Sequence, residues 1–137
     1  MSAPLISFLD LGRLFQGQIG QNCNLNVGKF VQLRHEEQGE FIVFACKEVC
    51  MFHAQIVDMF CGLQKPSWAF ELNLKKDNGL LYESKAKIVG GGYFEIVEAR
   101  SRINLSGNSL AYGDYDAYGL EEKLRIIERF KGYRVFC

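Results

Sequence analysis

The sequence predicts an α+β domain: a single mixed or mostly antiparallel β-sheet of about six strands packed with two main helices. Three observations predict it. Two strand-like runs, residues 26–35 and 40–45, are separated only by the turn Glu36-Glu37-Gln38-Gly39, the spacing of an antiparallel hairpin. Two stretches, residues 46–63 and about 120–130, repeat apolar residues every three or four positions, as amphipathic helices do. The other strand-like runs follow one another without helices between them, unlike the alternation of a doubly wound fold.

The elements follow in chain order. Residues 4–16 place Leu5, Ile6, Phe8 and Leu9 near helical spacing, but Gly12 and Gly17 weaken the pattern. Residues 1–25 are therefore read as an N-terminal arm or short helix, and 26–137 as the domain. The hairpin comes next. In residues 46–63, Val49, Phe52, Ile56, Met59, Phe60 and Leu63 form an apolar stripe, and Gly62 and Pro66 end the helix. Trp68, Phe70, Leu72 and Leu74 alternate with other residues, which predicts a strand with one buried face. Asp77-Asn78-Gly79 is a turn signal. Further strands are expected at 86–89, after Gly90-Gly91-Gly92 at 93–98, and at 102–105. Leu120, Leu124, Ile127 and Phe130 mark the second helix, Gly132 closes it, and residues 133–136 make a last short strand.

Composition narrows the function classes. A chain of 137 residues suits one domain and buries enough surface to need no staples. Sixteen basic residues balance sixteen acidic ones, so nothing favours a nucleic-acid partner. No apolar run approaches the length of a membrane span. The five cysteines are odd in number, and the first apolar run lacks a basic leader. Free thiols and a cytoplasmic location are the expectation.

Few residues offer chemistry. His35 ends a strand beside two glutamates and reads as a solvated turn residue. His53 falls on the edge of the first helical stripe. It is either a boundary histidine bonded to a neighbour or a functional imidazole. Cys46, Cys50 and His53 share a helical spacing of four and three, but nothing supplies the remaining ligands, so no metal is assigned. Gly90-Gly91-Gly92 lacks the dinucleotide spacing and points to a bulge or a close approach of backbone or ligand. Ser109 has no GxSxG elbow and no Asp and His after it, which argues against a serine hydrolase. A small-residue loop at 106–113 instead suits backbone amides offered to an anion, with Lys29 a source of charge.

These pieces, in this order, resemble the Janus/Ocnus family, the family of the small eukaryotic protein histidine phosphatases. The resemblance rests on Lys29-Phe30, on Phe52-His53-Ala54-Gln55-Ile56-Val57-Asp58, on Gly90-Gly91-Gly92-Tyr93-Phe94, and on Asn108-Ser109-Leu110-Ala111-Tyr112-Gly113. It covers about residues 26–136. It implies a metal-independent hydrolase of phosphoramidate N–P bonds with no cofactor. His53 would be the base toward water or the group that takes the phosphoryl. Lys29 would bind phosphate, and Ser109, Leu110 and Ala111 would hold its oxygens. The partner would be a phosphorylated protein or a small anionic ligand. The family pattern carries an arginine directly after the three glycines and another eight residues before the helix histidine. Tyr93 and Ala45 stand at those places, with Lys47 and Arg102 as possible substitutes. A non-catalytic module that binds an anion or a protein on the same fold is the alternative.

Overall fold

The computed structural model describes residues 6–19, 24–64 and 86–137. The order of elements is β1 (Ile6–Asp10), α1 (Leu11–Leu14), α2 (Gln16–Ile19), β2 (Val27–His35), β3 (Gly39–Cys46), α3 (His53–Gln64), β4 (Ala86–Val97), β5 (Arg102–Ser106), α4 (Leu120–Arg125) and β6 (Arg134–Phe136). Single 3₁₀ turns occupy Glu98–Arg100 and Glu128–Phe130. The strands form one six-stranded sheet in the order β1-β3-β2-β4-β5-β6. The β2–β3, β2–β4 and β4–β5 pairs are antiparallel, and the two outermost pairs, β1–β3 and β5–β6, are parallel. The mixed α+β architecture is as the sequence indicates.

Alternation along the strands gives the sheet two apolar faces. On one face Val31, Leu33, Val43 and Ala45 meet Ile56, Val57 and Phe60 of α3, together with Leu11. On the other, Phe30, Ile42, Phe44, Phe94, Ile103 and Leu105 meet Leu120, Leu124 and Phe130. Phe44 is the hub of the second face. Its ring stacks on Phe94 at 4.1 Å and takes the edge of Phe8 at 4.9 Å.

Several elements depart from expectation, each for a physical reason. Among the described residues only α3, with 12 residues, is a long helix, so the second of the two expected main helices is not seen there. The second helical stretch gives just the six residues of α4. Ile127 is extended, with ψ of 132°, and the break turns Phe130 into the core against Phe8. The helix expected from Cys46 begins only at His53. Cys46 closes β3, and Val49 N–H and Cys50 N–H both bond its carbonyl. This isolated turn has helical spacing without being helix. Gln55 then starts α3, because its Oε1 accepts from Met51 N–H at 2.7 Å and from Phe52 N–H at 2.9 Å. The second bond is the returning half of a capping box. Gly62 lies inside the last turn of α3.

The region read as an arm holds a strand and two single-turn helices. Asp10 caps α1 by accepting from Arg13 N–H. The glycine triplet does not interrupt the sheet, since β4 runs through it as one strand. His35 is not solvated. It is 6% exposed, and its Nδ1 accepts from Glu37 N–H and Gln38 N–H to shape the hairpin turn. The strand expected at 68–74 and the turn at Asp77-Asn78-Gly79 lie outside the described residues. No described helix is long and apolar enough to cross a membrane.

Truncating the aromatic hub is expected to be costly. Phe44→Ala should lose about 3–5 kcal/mol, read as a lower urea midpoint at unchanged slope. A loss below about 1 kcal/mol would mean that the second face does not depend on this ring.

Candidate active site

Strand register determines which site residues meet. Lys29 on β2 faces Ala45 on β3 and Tyr93 on β4. These three side chains form one row across the sheet, on the face that α3 covers. The position eight before His53 and the position after the glycines thus flank Lys29 directly. Neither holds a cation, and Lys29 is the single charge of the row.

The Lys29 ammonium is held in place. It donates to the carbonyl of Met51 at 2.6 Å and lies 5.6 Å from the Phe52 ring centre and 5.8 Å from that of Tyr93. Both rings are partly open to solvent, at 60% and 47% exposure. Contacts of this kind each contribute about 0.5–1 kcal/mol at exposed sites. One N–H of three is used on the Met51 carbonyl, so two remain for an anion. The Tyr93 ring also lies against Gly107, whose φ of +73° suits glycine and where a Cβ would stand 2.6 Å from the ring.

His53 is the first residue of α3 and is 6% exposed. Its Nε2 lies 2.9 Å from the carbonyl oxygen of Gly92. A carbonyl only accepts, so Nε2 carries the proton and Nδ1 keeps its lone pair in the neutral ring. Burial lowers the His53 pKa, the Gly92 carbonyl opposes this, and the nearby Lys29 charge lowers it further. The helix N-terminus acts in the same direction as Lys29. The ring fits because Gly91 has no side chain: a Cβ there would lie 2.8 Å from His53 Cδ2.

The loop after β5 reaches the same place through Gly91. Gly91 N–H donates to the carbonyl of Gly113 at 3.2 Å. Ser109 and Gly113 close the loop on each other, with Ser109 N–H on the Gly113 carbonyl at 3.1 Å and Gly113 N–H on the Ser109 carbonyl at 2.7 Å. Ser109 is buried, and its Oγ accepts from Tyr112 N–H at 3.1 Å. Ser109 therefore shapes the loop, and its own amide is spent. Leu110 and Ala111 lie at the exposed tip. Among the described residues their N–H groups have no hydrogen-bond partner.

Sequence reasoning missed the Met51 and Gly92 carbonyls and the two rings around Lys29. Carbonyl partners leave no residue signature. Gln55, three positions after Phe52, was a legible cap. Of the two possible substitutes for the absent arginines, Arg102 pairs with Val97, four residues along β4 from Tyr93. That is about 13 Å along the strand, and its guanidinium lies over Phe136. Lys47, just past β3, is exposed.

Fold and site together define an α+β protein with a helix-start histidine, a neighbouring lysine and a small-residue loop tied to a glycine strand. The family model of the Janus/Ocnus family (Ocnus) matches residues 25–134. The chain belongs to that family. No curated protein matches it.

Titration tests this site. The His53 ring signals, identified by their loss in His53→Gln, are expected to titrate below the ordinary 6.5. In Lys29→Met the midpoint should rise. The sign for stability follows from linkage: the unfolded chain binds the His53 proton at higher pH than the folded one. The folded state therefore loses stability as pH falls below about 6.5, down to the folded midpoint. His53→Gln should flatten that part of the pH profile. A His53 midpoint at or above 6.5 would contradict the buried, lysine-flanked geometry.

Proposed function

We propose that this protein is a hydrolase of phosphoramidate N–P bonds, of the protein histidine phosphatase type. The observation that carries the reading is the state of His53. Its Nε2–H is committed to the Gly92 carbonyl, its Nδ1 is left with a lone pair, and burial and Lys29 keep the ring neutral. A neutral imidazole beside an ammonium suits a base or phosphoryl acceptor near neutral pH. As base, Nδ1 takes a proton from water while the water oxygen bonds phosphorus and the N–P bond breaks. The leaving nitrogen then takes a proton back from His53. As acceptor, Nδ1 bonds phosphorus while the substrate N–P bond breaks and the leaving nitrogen takes a proton from solvent; water then cleaves the new His53 N–P bond and releases phosphate. Lys29 and the Leu110 and Ala111 amides would hold the phosphoryl oxygens, with Ser109 shaping the loop around them.

A non-catalytic anion- or protein-binding module is the second reading. The row Ala45–Lys29–Tyr93 favours it, because neither alanine nor tyrosine gives the bidentate phosphate contacts of arginine.

Hydrolysis of a phosphohistidine-containing protein and of phosphoramidate, without added metal, separates the two. Wild-type turnover is expected, with losses of about 10²–10⁴-fold in His53→Ala and a clear loss in Lys29→Ala. Tyr93→Arg, at a half-open position, should raise turnover. A folded wild type without turnover on either substrate would establish the second reading.

A further inference from the structure

Behind the glycine strand, on the face away from His53, lies a buried polar cluster that the site does not use. Gln32 on β2 is fully buried. Its side-chain amide grips the backbone of Asp116 like a strand partner: Oε1 accepts from Asp116 N–H at 2.7 Å, and Nε2 donates to the Asp116 carbonyl at 3.1 Å. Nε2 also donates to Oε1 of Glu40 at 3.1 Å. Glu40, 5% exposed, is in turn held by Arg34, through Nη2 at 2.6 Å and Nε at 3.1 Å, and by Lys123 at 2.9 Å. Arg34 reaches Asp116 Oδ2 as well, at 3.3 Å.

The route of the chain makes this grip matter. Gln32 faces Gly90 across the β2–β4 pair. A Cβ at Gly90 would lie 2.0 Å from the carbonyl oxygen of Asp114 and 2.7 Å from Tyr115 N. The segment that follows the 109–113 loop therefore crosses over β4 at the one place where β4 has no side chain, and Gln32 takes hold of it there. The loop is fixed at two points only a few residues apart: Gly91 N–H on Gly113, and Gln32 on Asp116. The free Leu110 and Ala111 amides stand just before these two points, between Ser109 and Gly113.

We propose that Gln32 is a positioning residue for this site: it holds the 109–116 segment from the opposite face of the sheet, and so sets where the Leu110 and Ala111 amides present themselves to an anion. Glu40 orients the Gln32 amide by accepting its second N–H. The role rests on the phosphate-binding reading of the loop, and the anchoring itself does not.

The test compares wild type with Gln32→Met, which keeps the length and removes both bonds to Asp116, and with Gln32→Asn, which keeps an amide but is one methylene short. Amide hydrogen exchange is read residue by residue, and inorganic phosphate is titrated while the Leu110 and Ala111 amide resonances are followed. In both variants the Asp116 and Gly113 amides are expected to exchange at least tenfold faster, with β2–β3 amides changing much less. Phosphate affinity should fall by a similar factor in samples that remain folded. Exchange that changes uniformly, or not at all, overturns the anchoring. Local release with wild-type phosphate affinity overturns the positioning role. If phosphate leaves the wild-type Leu110 and Ala111 resonances unmoved, the anion-binding reading and the positioning role fail together, and the exchange data still decide the anchoring.

Discussion

A strand can pass between two packed layers only where both its faces have room, and β4 makes that room at residues 90–92 by having no side chains. The pleat assigns each glycine a neighbour. Gly91 faces α3 and admits the His53 ring; Gly90 and Gly92 face the other layer and admit the 114–115 backbone and the Phe30 and Tyr115 rings. The bulge at this point, where Gln32 pairs with Gly90 but Leu33 pairs with Ile88, leaves Val89 without a partner. Glycine inside a strand costs about 0.5–1 kcal/mol relative to alanine. Three in a row weaken β4, and the central place of that strand between β2 and β5 offsets the loss. The histidine, the loop and the crossing segment all depend on this gap.

Charge is placed with equal economy. The row Ala45–Lys29–Tyr93 holds one ammonium, tied to a carbonyl and flanked by two rings. The opposite face holds a carboxylate, Glu40, matched by Arg34 and Lys123 and by the Gln32 amide. A buried carboxylate is tolerable only with such partners, and removal of one partner is far more costly than the pair is worth. The two groups on β2 that matter most, Lys29 and Gln32, are three residues apart and so point to opposite faces. One strand thus supplies the charge that an anion would meet and the grip that holds the loop.

Much of this was legible in the sequence, and the rest was hidden for definite reasons. The hairpin showed itself through a four-residue turn between apolar runs. The glycine triplet was readable as bulge or close approach; the close approach is at the triplet itself, and the bulge falls at Val89 just before it. The first helix was misplaced by seven residues because one α-turn at Cys46–Cys50 continues the helical period without the helix. The second was overlong because Phe130 keeps the apolar spacing across a break in the backbone. His35 read as solvated because a histidine beside two glutamates looks polar, while a ring nitrogen that accepts two turn amides is invisible to composition. For the candidate site, Lys29, His53 and the loop were named residue by residue through the family resemblance. Their relation was not, since register alone shows that Ala45 and Tyr93 flank Lys29. Gln32 gave no signal: a glutamine within an apolar strand looks like any tolerated polar residue until the crossing segment is seen.

The single-cation row changes what would have to stabilise a phosphoryl group. Such a group carries about two negative charges near neutral pH, and here one side-chain charge meets them. On the proposed reading, affinity for the ground state would be correspondingly modest, but rate depends on what strengthens in the transition state, not on tight ground-state binding. In phosphoryl transfer the developing charge spreads over the equatorial oxygens, and fixed donors aimed at them matter more than mobile charges in water. Backbone amides are such donors, provided that they do not move. With arginines absent from the row beside Lys29, more of the proposed chemistry falls to the Leu110 and Ala111 N–H groups. On that reading their placement would be the limiting feature of the site, and the proposed control of it lies on the far side of the sheet, where Gln32 holds Asp116.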